Sequence, residues 1–140
     1  MSDYDTDILT WSERQAELLR RVAAGERVDN EIDWPNIVEE IEDVGRSELH
    51  AVEALLLQAL IHMLKAEAWP LCQAADHWRA EARTARASAR RRFSLGMRRK
   101  IDLADIYADA LNGLPATVDG GPPLPVPAVC RVTLDELLSR

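Results

Sequence analysis

WPNIVEEIEDVGRSELHAVEALLLQALIHMLKAEAWP, residues 34–70, is the stretch that decides how this chain folds. Within it Ile37, Ile41, Val44, Glu48, Ala51, Leu55, Gln58, His62, Lys65 and Trp69 succeed one another at alternating spacings of four and three. That phase traces one face of an α-helix. Asp33 ahead of Trp34-Pro35 has the chemistry of an N-cap followed by proline in the first turn, and Pro70 ends the run. Gly45 interrupts the run, at a cost of about 1 kcal/mol relative to alanine in a helix interior. The phase is unbroken across Gly45, which fits one long helix bent there or two helices in succession. Both readings stay open at the level of sequence.

Outward from this segment the same period recurs. Upstream, Trp11, Gln15, Leu18, Leu19 and Val22 form a stripe that predicts a helix over about Asp7–Ala24, closed by Gly25. Thr10-x-x-Glu13 is a candidate capping box, which would start that helix later. Downstream, Trp78, Ala82, Ala85 and Ala89 form a narrow stripe of mostly small residues on a helix of about Ala74–Phe93. Small side chains of this kind let two helix axes approach closely. A further helix is expected over about Met97–Leu111, carrying Ile101, Ala104 or Asp105, Ala108 and Leu111 inward. Residues 112–132 contain GGPPLPVP, which excludes regular helix and central strand and favours an extended strap, with Leu124, Val126 and Val129 in need of cover. Thr133-x-x-Glu136 is a capping box for a last short helix within 133–139. The reading is therefore all-α: residues 1–140 as a single bundle of four to six helices, with a Pro-rich strap and a short C-terminal helix.

Composition agrees with this reading. The 140 residues are 47% hydrophobic and 29% charged, rich in Ala and Leu and poor in aromatics, which favours helix over sheet. The net charge of −7 is unevenly spread. Residues 1–53 hold 15 acidic and 5 basic side chains, a net of −10, whereas residues 79–100 hold 9 basic side chains against Glu81 alone, a net of +8. Such blocks attract one another, within a chain or between two copies. Cys72 and Cys130 form no C-x-x-C pair and no metal-type spacing, so no metal or cofactor is expected. MSDYDTDILTW is acidic and polar, unlike a secretory signal, and the apolar run Ala51–Leu64 falls short of the roughly 20 residues a bilayer span requires. A cytoplasmic protein with reduced thiols and no membrane partner is the expectation.

Several segments, in order, carry a resemblance. They are YDTD at Tyr4–Asp7 with Trp11, EEIEDVGRSE at Glu39–Glu48, HMLK at His62–Lys65, Trp78-Arg79, and TLDELL at Thr133–Leu138 after Cys130. On these the chain resembles the bacterial domain of unknown function 29 family over nearly its whole length. AEAWPLCQAADH at residues 66–77 and the long Pro-rich run near residue 123 depart from that pattern. The resemblance implies a helical bundle and, because the family has no assigned activity, supplies no catalytic residues to carry over.

The residues themselves offer no phosphate loop, dinucleotide fingerprint, nucleophile elbow or H-E-x-x-H. None of His50, His62 and His77 follows a glutamate by three, so the di-iron bundle pattern is missing. The candidate site is a polar cluster of Glu39, Glu42, Arg46, His62, Lys65, Trp78 and Arg79, with the chain reversing near Pro70 to bring Trp78 and Arg79 beside His62 and Lys65. In one reading these are buried pairs that fix helix register, since buried polar groups are costly unless paired. In the other they hold an anion or nucleotide, with His62 as a general acid or base and Trp69 or Trp78 as a stacking face. A second candidate is the basic face Arg79, Arg83, Arg86 and Arg90, one stripe of a single helix. Three functions follow. The first is a non-enzymatic module that binds another protein or itself; the second is nucleic-acid binding through residues 79–100, which 24 acidic side chains oppose; the third is an enzyme or anion-binding protein built on His62, Lys65 and Arg79.

Overall fold

The computed structural model describes residues 2–140 and contains, among them, six α-helices and no strand. In chain order these are α1 (Asp3–Thr6), α2 (Ile8–Ala23), α3 (Trp34–Ala68), α4 (Ala75–Arg92), α5 (Leu103–Asn112) and α6 (Leu134–Leu138), with short 3₁₀ turns at Asp29–Glu31 and Leu95–Met97. The chain divides into two compact units, the first ending at Arg46 and the second beginning at Ser47.

The first unit is held at the start of α2 and the start of α3. Asp7, not the Thr10–Glu13 box, caps α2: its carboxylate accepts from the Thr10 backbone N–H at 3.0 Å and from the Thr10 hydroxyl at 2.7 Å. Its pKa is held below the usual aspartate value by those same bonds to Thr10. At the other end Gly25 takes φ +95°, and the Gly25 and Glu26 N–H groups donate back to Val22 and Arg21. This is a Schellman closure that a residue with a Cβ adopts only under strain. Trp11, Gln15 and Leu18 are buried along the expected stripe, with Val28, Ile32 and Ile37 completing a small core. Gln15 is buried without loss because its Oε1 accepts from the Asp33 N–H at 2.8 Å. The Asp33 carboxylate in turn accepts from the Asn36 amide at 2.7 Å and the Trp11 indole at 3.0 Å, which lower its pKa. Tyr4 packs edge-on against Trp11 and donates its hydroxyl to Glu40 at 2.7 Å.

Residues 34–68 form one helix, continuous through Gly45. Of the stripe read along this helix from the sequence, only Ile37 and Trp69, at its two ends, are buried. Ile41 and Val44 are exposed at 67% and 70%, Glu48 and Gln58 are exposed, and His62 and Lys65 are half-buried. The residues that build the second unit's core are Val52, Leu56, Ala59, Leu60 and Leu64, none more than 3% exposed. Leu55, Leu56 and Leu57 stand side by side in the sequence, so two adjacent faces are apolar and spacing alone selects neither. By length and composition α3 is long and apolar enough to cross a membrane, and 33% of its most apolar stretch is buried.

Against α3 lie the small residues of α4. Trp78, Ala82, Ala85 and Ala89 are all buried, as their stripe requires. The next helix starts later than its sequence pattern suggests, because Asp102 caps α5 by accepting from the Asp105 N–H at 3.1 Å. Residues 97–101 precede that cap, so the register counted from Ile101 fails. Ile106, Tyr107 and Ala110 point inward, whereas Ala104, Asp105 and Ala108 are exposed.

The Pro-rich segment is tied down at three points. Val118–Gly121 makes a tight turn with Asp119 at φ +51° and Gly120 at φ +77°, the two positive φ values that a hairpin-type turn demands. The Trp69 indole donates to the Gly121 carbonyl at 3.0 Å, the Leu124 N–H to the Ala68 carbonyl at 2.8 Å, and the Tyr107 hydroxyl to the Pro127 carbonyl. Val126 is half-buried, while Leu124 and Val129 remain exposed. Thr133 caps α6 as its motif predicts, exchanging bonds with the N–H and carboxylate of Glu136, both at 3.1 Å. Leu137 is fully buried.

Candidate binding surfaces

The polar cluster expected from the sequence resolves into local pairs. Arg46 binds the carboxylates of its own helix: Glu39 at 2.8 Å, Glu42 at 3.9 Å and Asp43. All are exposed or half-exposed, and the Asp43 bond does most to raise the Arg46 pKa. His62 places Nδ1 2.7 Å from the Gln58 carbonyl oxygen one turn back, so Nδ1 carries the hydrogen. Lys65 lies over the Trp78 ring, 4.8 Å from its centroid, and Trp78 meets Trp69 edge-on at 6.5 Å. The reversal at Pro70 thus does bring Lys65, Trp69 and Trp78 together. Arg79 pairs instead with Asp76 at 2.8 Å on the surface of α4. A buried register-fixing network of His62, Lys65 and Arg79 does not form.

The basic face is also partly occupied, by a structural duty that the sequence pattern concealed. Arg86 donates to the backbone carbonyls of Leu137 at 3.0 Å and Glu136 at 2.8 Å, and Arg90 to that of Ser139 at 3.2 Å. The last carbonyls of a helix have no partner within it and carry its negative dipole end, so two guanidinium groups there are doubly favourable. Arg92 pairs with Glu48 at 3.3 Å and Arg98 with Asp135 at 2.8 Å. Among the described residues, Arg83, Arg91, Arg99 and Lys100 are the cations of the 79–100 block with no ion-pair or side-chain hydrogen-bond partner.

Two concave surfaces stand out. In the first unit an open groove of about 250 Å³ runs between α2 and the first turns of α3. Leu19 and Ala16 form one wall, Ile37, Ile41 and Val44 the other, and Glu40 sits at its edge. Its lining is almost wholly apolar. In the second unit a cleft of about 520 Å³ lies between the end of α3 and α4. Met63, Ala66, Pro70 and Ala82 give it an apolar floor, and Glu67, Arg79, Arg83 and Arg86 ring it. Among the described residues no group of three or more His, Cys, Asp or Glu side chains is placed to hold a metal ion.

The family model for the domain of unknown function DUF29 matches residues 4–140. The chain belongs to this family. A solved structure agrees: this DUF29 chain is similar to an alpha-helical protein of unknown function from Rhodospirillum rubrum ATCC 11170, with a TM-score of 0.70 and 26% identity over 99% of this chain and 90% of that one. No curated protein matches the DUF29 chain. Family and neighbour alike therefore describe an uncharacterised helical protein and indicate no activity.

Proposed function

We propose that this DUF29 chain is a non-enzymatic self-association module, in which the apolar groove of one copy receives the basic Leu95 corner of a second copy. The observation that carries the reading is the exposure of Ile41 and Val44 beside a preformed apolar groove. Adjacent exposed aliphatic side chains around a concavity mark an interaction surface more often than scattered ones do. The occupant follows from charge and shape. The first unit holds 13 acidic and 5 basic side chains, a net of −8. Leu95, exposed at 79%, stands on a 3₁₀ turn among the unpaired cations Arg91, Arg99 and Lys100. An apolar knob flanked along the chain by cations suits an apolar slot on an acidic body, and such complementarity sets orientation and salt sensitivity. A contact between unlike surfaces is heterologous, so it closes into a ring or adds copies stepwise. A cytosolic setting goes with this reading, supported by the free thiols of Cys72 and Cys130. Nucleic-acid binding has less support, since five of the nine cations in residues 79–100 already have partners in the chain.

Sedimentation velocity of the wild type, Ile41→Asp with Val44→Asp, and Arg99→Glu with Lys100→Glu tests the proposal. The wild type is expected to associate reversibly at low salt, and both double variants to remain monomeric. A monomeric wild type at every concentration, or variants that associate as the wild type does, would overturn it.

A further inference from the structure

We infer that the cleft between the last turns of α3 and the first three turns of α4 binds a small phosphate-bearing dianion. This site is separate from the self-association surface and uses none of its residues.

Arg79, Arg83 and Arg86 follow at i, i+4 and i+7 on α4 and all line the cleft. Side chains at these spacings share one helix face. What lets three long cations ring a hollow is the pair of alanines beneath them: Ala66 and Ala82 are buried at the α3–α4 contact and leave room that larger residues would fill. At about 520 Å³ the space is in the range of small-molecule sites. Guanidinium forks match phosphate oxygens in geometry as well as charge.

The three arginines are in different states, and the difference supports binding over solvation. Arg86 is anchored by its bonds to Leu137 and Glu136, so one guanidinium is held in place before any ligand arrives. Arg79 is tied only to Asp76, whose side chain is 96% exposed. An exposed pair of that kind contributes little and exchanges readily for a better acceptor. Arg83 has no ion-pair or side-chain hydrogen-bond partner among the described residues, although it faces the same hollow. Glu67 on the opposite wall is also without an ion-pair partner. Three arginines against one glutamate leave the lining at +2. A monocarboxylate leaves that charge half-neutralised, a phosphate monoester balances it, and pyrophosphate, with more than two negative charges at neutral pH, more than meets it. The lining holds no aromatic ring, so nothing there stacks on a nucleobase.

Isothermal titration with pyrophosphate, inorganic phosphate and succinate tests this, on the full chain at physiological salt. Pyrophosphate should bind at one site per chain, and succinate much more weakly. Arg83→Gln removes a side chain with no structural bond, so it should leave the melting temperature unchanged while weakening pyrophosphate by about tenfold, equivalent to about 1.4 kcal/mol. Glu67→Gln removes the one opposing charge and should tighten binding. Absence of heat from both phosphates at millimolar concentration would overturn the inference. So would unchanged affinity in Arg83→Gln, equal binding of succinate, or a Glu67→Gln variant that binds no more tightly than the wild type.

Discussion

Arg86 on α4 holds the carbonyl of Leu137, 51 residues later in the chain, through a 3.0 Å bond from Nε. With its second bond to Glu136 and the Arg90 bond to Ser139, it closes the C-terminal end of α6 from a neighbouring helix. A helix of five residues has too few internal bonds to persist alone. Its stability comes from the burial of Leu137 and from these guanidinium groups.

Arg86→Met should therefore loosen α6 before it affects the rest of the second unit. Hydrogen bonds from charged groups contribute about 1.5–3 kcal/mol each, so amide exchange at residues 134–138 should accelerate sharply while that of α3 changes little. Uniform exchange across both helices would show that α6 does not depend on Arg86.

Gly45 lies within a continuous helix, and a Cβ built there meets nothing within 4 Å. Gly45→Ala should stabilise the protein by about 0.5–1 kcal/mol, by reducing the freedom lost on folding. Denaturant titration measures it, and a destabilised variant would mean that Gly45 answers to a partner surface instead of to the helix.

How much of this was legible in the sequence depends on which signal is considered. Helix existence was, because the 3.6 period, the Thr133 cap and the alanine stripe of α4 each point one way. Helix phase in α3 was not: Leu55, Leu56 and Leu57 make two faces apolar, and only the partner helices decide which is covered. The start of α5 was hidden because Asp102 reads as one more helical residue until its carboxylate is seen capping Asp105. The candidate polar cluster separates into local pairs for a related reason. Ion pairs form with the nearest partner, so Arg46 found Glu39 and Asp43 on its own helix and Arg79 found Asp76. Arg86 and Arg90 were legible as a basic stripe, but their partners are backbone carbonyls, which no pattern of side chains announces.

Leu56 is fully buried at the centre of the second unit's core. Leu56→Ala should cost about 2–5 kcal/mol, the range for opening a cavity in a packed interior. The check is denaturant unfolding, and a loss below about 1 kcal/mol would mean that the core collapses to fill the space.

Both tyrosines titrate late. The Glu40 carboxylate that accepts from the Tyr4 hydroxyl pushes its pKa up to about 12, and burial raises that of Tyr107. Each contributes stability that is complete below the unfolded tyrosine value of about 10 and is lost as pH rises through the folded value. Asp33 works in the opposite direction: with its pKa lowered chiefly by Asn36, then by Trp11, its contribution is complete above the unfolded aspartate value and is lost as pH falls through the folded one. Folded protein at pH 10 should show less tyrosinate absorbance than the unfolded chain, and Tyr4→Phe should flatten stability between pH 10 and about 12. Half-ionised tyrosine at pH 10 in the native state would contradict the Glu40 bond.

The central claim is self-association through the Ile41–Val44 groove and the Leu95 corner. Its most direct measurement is the weight-average molar mass by light scattering, across a concentration series at low and at high salt. The prediction is a mass that rises above the 15.7 kDa of one chain with concentration at low salt and falls back toward it at high salt. A mass fixed at 15.7 kDa throughout would contradict it.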